Sequence, residues 1–285
     1  MQHGPDMPSF HEADNSRSSR DGFSLGFSCL VTVQATQGSV PRAPGAWMAV
    51  WPDRFEGTIG GGHLEFQALA DARHRLSLAS VNREAAVVRY PLGPRLGQCC
   101  GGVVDLRFEL VPAADWPALR ERLTPRRWPV ALFGAGHVGQ ALVRALAPLP
   151  FAIHWIDSRE GLFPPDLPAH IAGDQSEPVQ AAVSGLAPGS RVLAMSFSHA
   201  EDLEIVAACL RRQRERADLP FVGLIGSRTK AASFAHQLAE RGFTPDEIAQ
   251  VVCPIGIPGI TGKEPAVIAA SVAAQLLQTL PADLE

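Results

Sequence analysis

The sequence predicts an α/β protein in two parts: a C-terminal parallel sheet wound on both faces by helices, preceded by a smaller N-terminal α+β domain. Three observations carry this. From residue 130 onward short apolar runs, "VALFG", "FAIHWID", "RVLAM" and "FVGLIG", alternate with longer helical patterns. The first of these runs leads directly into a glycine turn, "GAGHVG", and then into a helix-like stretch. Before residue 110 the strand-like runs instead gather around a single helical pattern.

Taken in order, residues 1–22 are polar and are expected to form a disordered tail. Within 23–110, "FSCLVTVQAT" and "WMAVWP" read as strands separated by the Gly/Pro turn "QGSVPRAPGA". A second glycine turn, "GTIGGG", opens an amphipathic helix carrying Leu64, Leu69 and Ala70. "EAAVVRY" and "GVVDLRFEL" complete the domain as strands. Residues 111–129 contain Pro112, Pro117, Pro125 and Pro129 and read as a linker, part of it helical. The second domain then occupies 130–285, with further strands at 191–195, 221–226 and 251–253 and helices around 200–213, 230–240 and 265–280.

The GxGxxG of Gly134, Gly136 and Gly139 follows a strand and opens a helix, and the next strand ends in Asp157, 18 residues after Gly139. This is the Rossmann-like context in which a glycine turn brings an anion onto a helix N-terminus. His137 lies inside the turn and is placed to touch a ligand. Asp157 would favour NAD over NADP, with Arg159 beside it opposing that preference. The alternative is that the three glycines serve packing alone.

Two more loops fall where such a sheet carries ligands. "GSRTK" places Ser227, Arg228 and Lys230 before a helix in an arrangement suited to phosphate, and "CPIGIPGITGKEP" has Gly256, Gly259 and Gly262 among prolines. Neither contains GxxxxGK[ST]. Ordinary turns and caps would explain either one. His199, followed by Glu201 and Asp202, reads equally as a base at a strand end or as a capped loop histidine. HExxH, GxSxG and clustered metal-ligand spacings are absent from the sequence.

Composition sets the remaining bounds. Five cysteines, an odd number without a CxxC repeat, argue for a reducing compartment. With no apolar leader and no long apolar run, a cytoplasmic protein with no membrane partner is expected. The formal charge of −4 makes no case for nucleic acid. The unusual feature is "LGPRLGQCCGGVV", in which adjacent Cys99 and Cys100 are flanked by Gly97, Gly101 and Gly102.

Several stretches together, "GSVPRAPGAWMAV", "GTIGGGHLE", "LGPRLGQCCGG", "LFGAGHVGQAL", "WIDSR", "FVGLIGSRTK" and "PIGIPGITGKEPAVIAASVAAQLL", strongly resemble the xanthine dehydrogenase accessory protein family, XdhC-like, over about residues 27–280. Its specificity lies in the N-terminal glycine motifs and the cysteine motif. The resemblance implies a cytoplasmic maturation factor, not itself an enzyme, that binds molybdenum cofactor in its molybdopterin form. Such a protein holds the cofactor while a cysteine desulfurase supplies the terminal sulfido ligand, then passes it to apo-xanthine dehydrogenase, and it forms a homodimer. The segment Ser196–Phe197–Ser198–His199 departs slightly from the Thr-His or Ser-His strand end usual in the family.

Under that reading the cofactor site comprises Gly60, Gly61 and Gly62 of the first glycine motif, Cys99, Cys100, Gly101 and Gly102 of the second, and the Rossmann-like loops. Molybdenum carrying a dithiolene is thiophilic, so Cys99 or Cys100 would contact the metal or guard its sulfido ligand. Gly101 and Gly102 would let the backbone approach. The alternative for the two cysteines is a pair of small buried apolar residues in a tight turn. Arg42 and Arg95, with the helix N-terminus at Gly136, would grip the pterin phosphate. Two other functions are weighed against this one: an NAD-dependent oxidoreductase, and a scaffold whose Rossmann-like domain binds nothing and recruits a partner enzyme.

Overall fold

The computed structural model describes residues 26–79, 82–92, 101–124 and 126–281. The chain divides into two units at residues 123/124. Residues 1–22, Arg95, Cys99 and Cys100 lie outside the described residues.

The first unit is built on a five-stranded antiparallel sheet. Its strands are β1 (Phe27–Gln37), β2 (Trp47–Val50), β3 (Phe55–Gly57), β4 (Ala86–Pro91) and β5 (Val103–Pro112), in the order β3-β2-β1-β5-β4. Alternation along β1 serves both faces. Cys29, Val31 and Val33 face a core completed by Leu64, Ala68 and Ala72 of α1 (Gly62–Ser77). Leu30 points the other way, into a smaller cluster with Ala49, Trp51 and Trp116 of α2 (Trp116–Leu123). Residues 111–129 therefore hold the end of β5, a helix packed on the first unit, and the start of the next strand. The short strand β3 went unread in the sequence because its three residues carry no apolar alternation.

The second unit is the parallel sheet that the strand–helix alternation predicts. β6 (Trp128–Phe133), β7 (Phe151–Asp157), β8 (Ile171–Gln175), β9 (Arg191–Ala194), β10 (Phe221–Leu224) and β11 (Val251–Val252) lie in the order β11-β10-β9-β6-β7-β8. The four buried β6 side chains divide by parity: Val130 and Leu132 join the core under α3 (His137–Leu146) and α7 (Pro265–Gln278). Ala131 and Phe133 join the core under α4 (His199–Arg216), α5 (Arg228–Glu240) and a 3-10 segment, Val179–Gly185. A four-residue helix, α6 (Pro245–Ile248), leads into β11. Strand order reverses between β6 and β9, so loops leaving their C-terminal ends part to opposite sides and leave a crevice, the usual ligand position of such sheets. Among the described residues no helix is long and apolar enough to cross a membrane.

Candidate functional site

The glycine turn after β6 is shaped by close packing on one side and space on the other. Gly134 has φ +122°, and a Cβ there would stand 2.1 Å from the Met195 carbonyl oxygen. A Cβ on Gly139 would meet the Gly134 carbonyl oxygen at the same 2.1 Å. These two glycines are therefore demanded by the fold itself. Gly136 differs, because a Cβ there would meet nothing within 4 Å. Gly136 is the N-cap of α3, and no side chain caps that helix, whereas Ser198 and Ser227 cap α4 and α5. The first-turn N–H groups of α3, beside exposed Gly136 and His137, thus present the positive end of a helix dipole at the switch point.

Asp157, at the end of β7, is 2% exposed. Its carboxylate accepts the Ala135 N–H at 2.7 Å, the Arg159 backbone N–H at 3.0 Å, and Arg159 Nε and Nη2 at 2.9 Å each. Burial would raise its pKa, but the hydrogen bonds from Arg159 and Ala135 prevail and hold it below the usual carboxylate range. The acid that the spacing assigns to a ribose thus braces the glycine turn from within. Arg159 in turn lies over Phe197, with 5.1 Å from guanidinium carbon to ring centroid. Ser158 donates to Glu201 Oε1 at 2.7 Å, tying the end of β7 to the first turn of α4.

On the far side of the switch point Lys230 Nζ donates to Asp202 Oδ2 at 2.6 Å and to the Ile225 carbonyl at 2.9 Å. Ser227 Oγ accepts the Lys230 N–H as the cap of α5. Of the three residues assigned to phosphate in this loop, Ser227 and Lys230 are held by the protein, and Arg228 is exposed. His199 is exposed at the start of α4, edge-on to Phe234. The segment after β11 is fastened to α7 by Gly256 N–H to Gln275 and Ile257 N–H to Ser271, each at 2.7 Å.

In the first unit three loops meet. Gly60, Gly61 and Gly62 all have positive φ, a backbone run that side-chain-bearing residues strongly disfavour. Glu65 on α1 holds this turn: its Oε2 accepts Thr58 Oγ1 at 2.5 Å and the N–H groups of Ile59 and Gly61 at 3.2 Å each. The turn abuts the β1–β2 loop, where a Cβ on Gly60 would fall 2.6 Å from Pro41, with Arg42 adjacent and exposed. That loop also touches Gly102, whose Cβ would stand 2.4 Å from the Ser39 carbonyl oxygen, while Gly101 is open. Arg42, the glycine turn and the Gly101–Gly102 pair are thus neighbours at one end of the sheet.

Sequence reasoning missed Glu65, Arg159 with Phe197, and the Asp202–Lys230 pair as organisers of these loops. The signal for Glu65 was an acid in a helix's first turn just after a glycine run, where free N–H groups need an acceptor. The Ser198-x-x-Glu201 spacing was legible as a capping box, yet only the Ser198 half forms and Glu201 turns to Ser158. Cys29 and Cys209 are core residues, their thiols pushed up to about 12 by burial. Cys253, half-buried beside Lys230, is also raised by burial.

Comparison with known proteins places these loops in a family. Residues 130–276 match the XdhC Rossmann domain and residues 28–91 match the XdhC and CoxI family. The chain is similar to the uncharacterized protein YqeB of Escherichia coli, with 29% identity over 257 residues, 87% of this chain but 43% of that protein. The chain thus spans less than half the length of this curated relative. It also shares its fold with the crystal structure of a xanthine dehydrogenase from Bacillus halodurans, at TM-score 0.72 and 18% identity over 90% of this chain and 92% of that one. Matched in its Rossmann half and again in its N-terminal half, the chain belongs to the XdhC family.

Proposed function

We propose that the protein is a maturation factor for xanthine dehydrogenase, which takes up molybdenum cofactor as cargo, supports its sulfuration by a cysteine desulfurase and delivers it to the apo-enzyme. Family membership supports the role in maturation. The observation that carries cargo binding is the uncapped N-terminus of α3 beside Gly136, where the fold leaves space. A phosphate of the cargo fits this place because unpaired N–H groups and the helix dipole attract an anion. His137 would border it, and Arg228 is an exposed guanidinium able to pair with phosphate oxygens. Arg42 is an exposed guanidinium of the first unit. Ser227, Lys230 and Asp157 act on the cargo indirectly, by fixing the loops that present Arg228 and the α3 amides. Gly60, Gly61, Gly62, Gly101 and Gly102 keep bulk away from the loops of the first unit, and Cys99 or Cys100 supplies a soft thiolate to the molybdenum or its sulfido ligand. The protein works as a cytoplasmic homodimer and turns over no substrate itself.

The test is mass spectrometry and molybdenum analysis of the protein purified from cells that make the cofactor. Molybdopterin and molybdenum are expected together, and Gly136→Val should abolish both. Recovery of NAD instead would replace this function with an NAD-dependent oxidoreductase.

A further inference from the structure

The C-terminal half of α1 places Asp71 and Arg75 on one face, with its C-cap Leu78 following on the same side. An acid four residues before an arginine on a helix ordinarily pairs with it. Here the two are held apart. Asp71 Oδ2 accepts the hydroxyl of Tyr90, a buried residue of β4. Arg75 lies instead over the ring of Phe108 on β5, with 4.9 Å from guanidinium carbon to ring centroid. Neither makes an ion pair among the described residues, and the guanidinium donors of Arg75 meet no hydrogen-bond acceptor there.

Both charges line one cavity of about 330 Å³, walled by α1 on one side and by β1 and β5 on the other. That volume is enough for a small ligand. Phe108, beneath Arg75, is 1% exposed and is closed to any ligand. The accessible apolar surface is instead Leu78, 44% exposed, and half-buried Leu110. His74 and Glu84 stand exposed at the rim. The cavity belongs to the first unit and lies toward the opposite end of α1 from Gly60, Gly61 and Gly62.

These groups specify a ligand with two opposite charges and an apolar body. Arginine's planar fork matches a carboxylate through two parallel hydrogen bonds. Asp71, with one oxygen given to Tyr90, keeps lone pairs for an ammonium. The two residues are about one helical turn apart, roughly 5.4 Å along the axis, so a ligand that joins them must carry its charges close together. An α-amino acid carries both on one carbon and projects a side chain from it.

We infer that this cavity binds a free α-amino acid with an apolar side chain, its carboxylate on Arg75, its ammonium on Asp71 and its side chain against Leu78 and Leu110. The site goes beyond the proposed function and does not rest on it.

Titration calorimetry of the full chain with L-leucine, L-methionine and L-phenylalanine tests it. At least one should bind, and glycine should bind at least about tenfold more weakly than the best of them. For that best ligand, the deaminated acid and the decarboxylated amine should each be weaker by about tenfold or more, because a charged group of the site is then left unmatched. Two variants locate the site. Arg75→Met keeps an apolar stem over Phe108 and should shrink the preference for the amino acid over its amine. Asp71→Asn still accepts the Tyr90 hydroxyl and should shrink the preference over the deaminated acid. The analogue series uses the parent chain and decides the matter even where a variant fails to fold. No binding of any of the three amino acids, equal binding of the amino acid and both analogues, or an unchanged preference in either folded variant overturns the site.

Discussion

Lys230 of α5 is locked to Asp202 of α4, Nζ to Oδ2 at 2.6 Å, and the other carboxylate oxygen of Asp202 accepts the Ser196 N–H at 2.8 Å. Both side chains are nearly sealed, at 10% and 2% exposed. The pair therefore ties the loop after β9 to the loop after β10 from inside the protein. Removing one partner of such a pair strands a buried charge. Lys230→Met is expected to cost about 3 kcal/mol in urea denaturation. Adding Asp202→Asn should recover part of that loss, because an amide oxygen still accepts the Ser196 N–H. Unchanged stability in Lys230→Met would mean that the pair is not a clamp.

The three glycines of the turn should separate by experiment into two kinds. Gly134→Ala places a Cβ 2.1 Å from a carbonyl oxygen at positive φ, and a loss of about 3 kcal/mol or more is expected. Gly139→Ala should behave similarly. Gly136→Ala meets no neighbour, so its thermal midpoint should match the parent while retention of cargo phosphate falls. A large loss of stability in Gly136→Ala would assign that glycine to packing, like the other two.

What was legible in the sequence followed from periodicity. Val130, Leu132 and Phe133 of the strand and Val138, Leu142 and Leu146 of the helix are apolar where a strand–turn–helix requires it, and all but the half-buried Val138 are buried. Gly134, Gly136 and Gly139 were legible as a set, but their division into two packing glycines and one open glycine depends on where Met195 and the Gly134 carbonyl sit, which no local pattern encodes. The role of Asp157 shows the same limit. Its spacing identifies the end of β7, and three of its donors come from Arg159 two residues on, whereas the Ala135 N–H reaches it only once β6 and β7 are paired. β8 was missed because only Ile171 of its five residues is buried, which leaves no hydrophobic alternation to read.

Acid should weaken the second unit through Glu247. Its carboxylate is gripped by Arg214 Nε at 2.6 Å and Nη2 at 2.8 Å and also accepts the Thr244 N–H. The Arg214 hydrogen bonds, then that of Thr244, lower its pKa from 4.5 to about 2. The folded form thus binds its proton later than the unfolded chain. The stabilisation is complete above pH 4.5 and is lost as pH falls through about 2. Glu247→Gln should flatten that part of a plot of thermal midpoint against pH. Identical slopes for variant and parent would locate the acid sensitivity elsewhere.

Thiol labelling of the folded protein should divide the cysteines. Cys29 and Cys209 are buried, with thiols near 12, and should stay unlabelled at neutral pH. Rapid labelling is expected at Cys99 or Cys100, and bound cofactor should suppress it. Cys99→Ala or Cys100→Ala should reduce molybdenum retention or activation of xanthine dehydrogenase, with folding intact. Full retention and delivery by both variants would exclude a thiol contact.

The isolated protein should show no turnover of xanthine, with or without NAD. Its five cysteines lack the spacings that hold iron–sulfur clusters. His199, read from the sequence as a base at a strand end, is an exposed first-turn residue whose ring packs edge-on to Phe234. Binding and release, by contrast, need only the loops and amides described above. The expected effect is faster or fuller activation of apo-xanthine dehydrogenase when cofactor and a sulfur source are supplied. Steady oxidation of xanthine by the isolated, metal-analysed chain would overturn the maturation reading, and reduction of NAD with another small substrate would favour an oxidoreductase. If activation occurs only with cofactor that already carries its sulfido ligand, the protein delivers cofactor and takes no part in sulfuration.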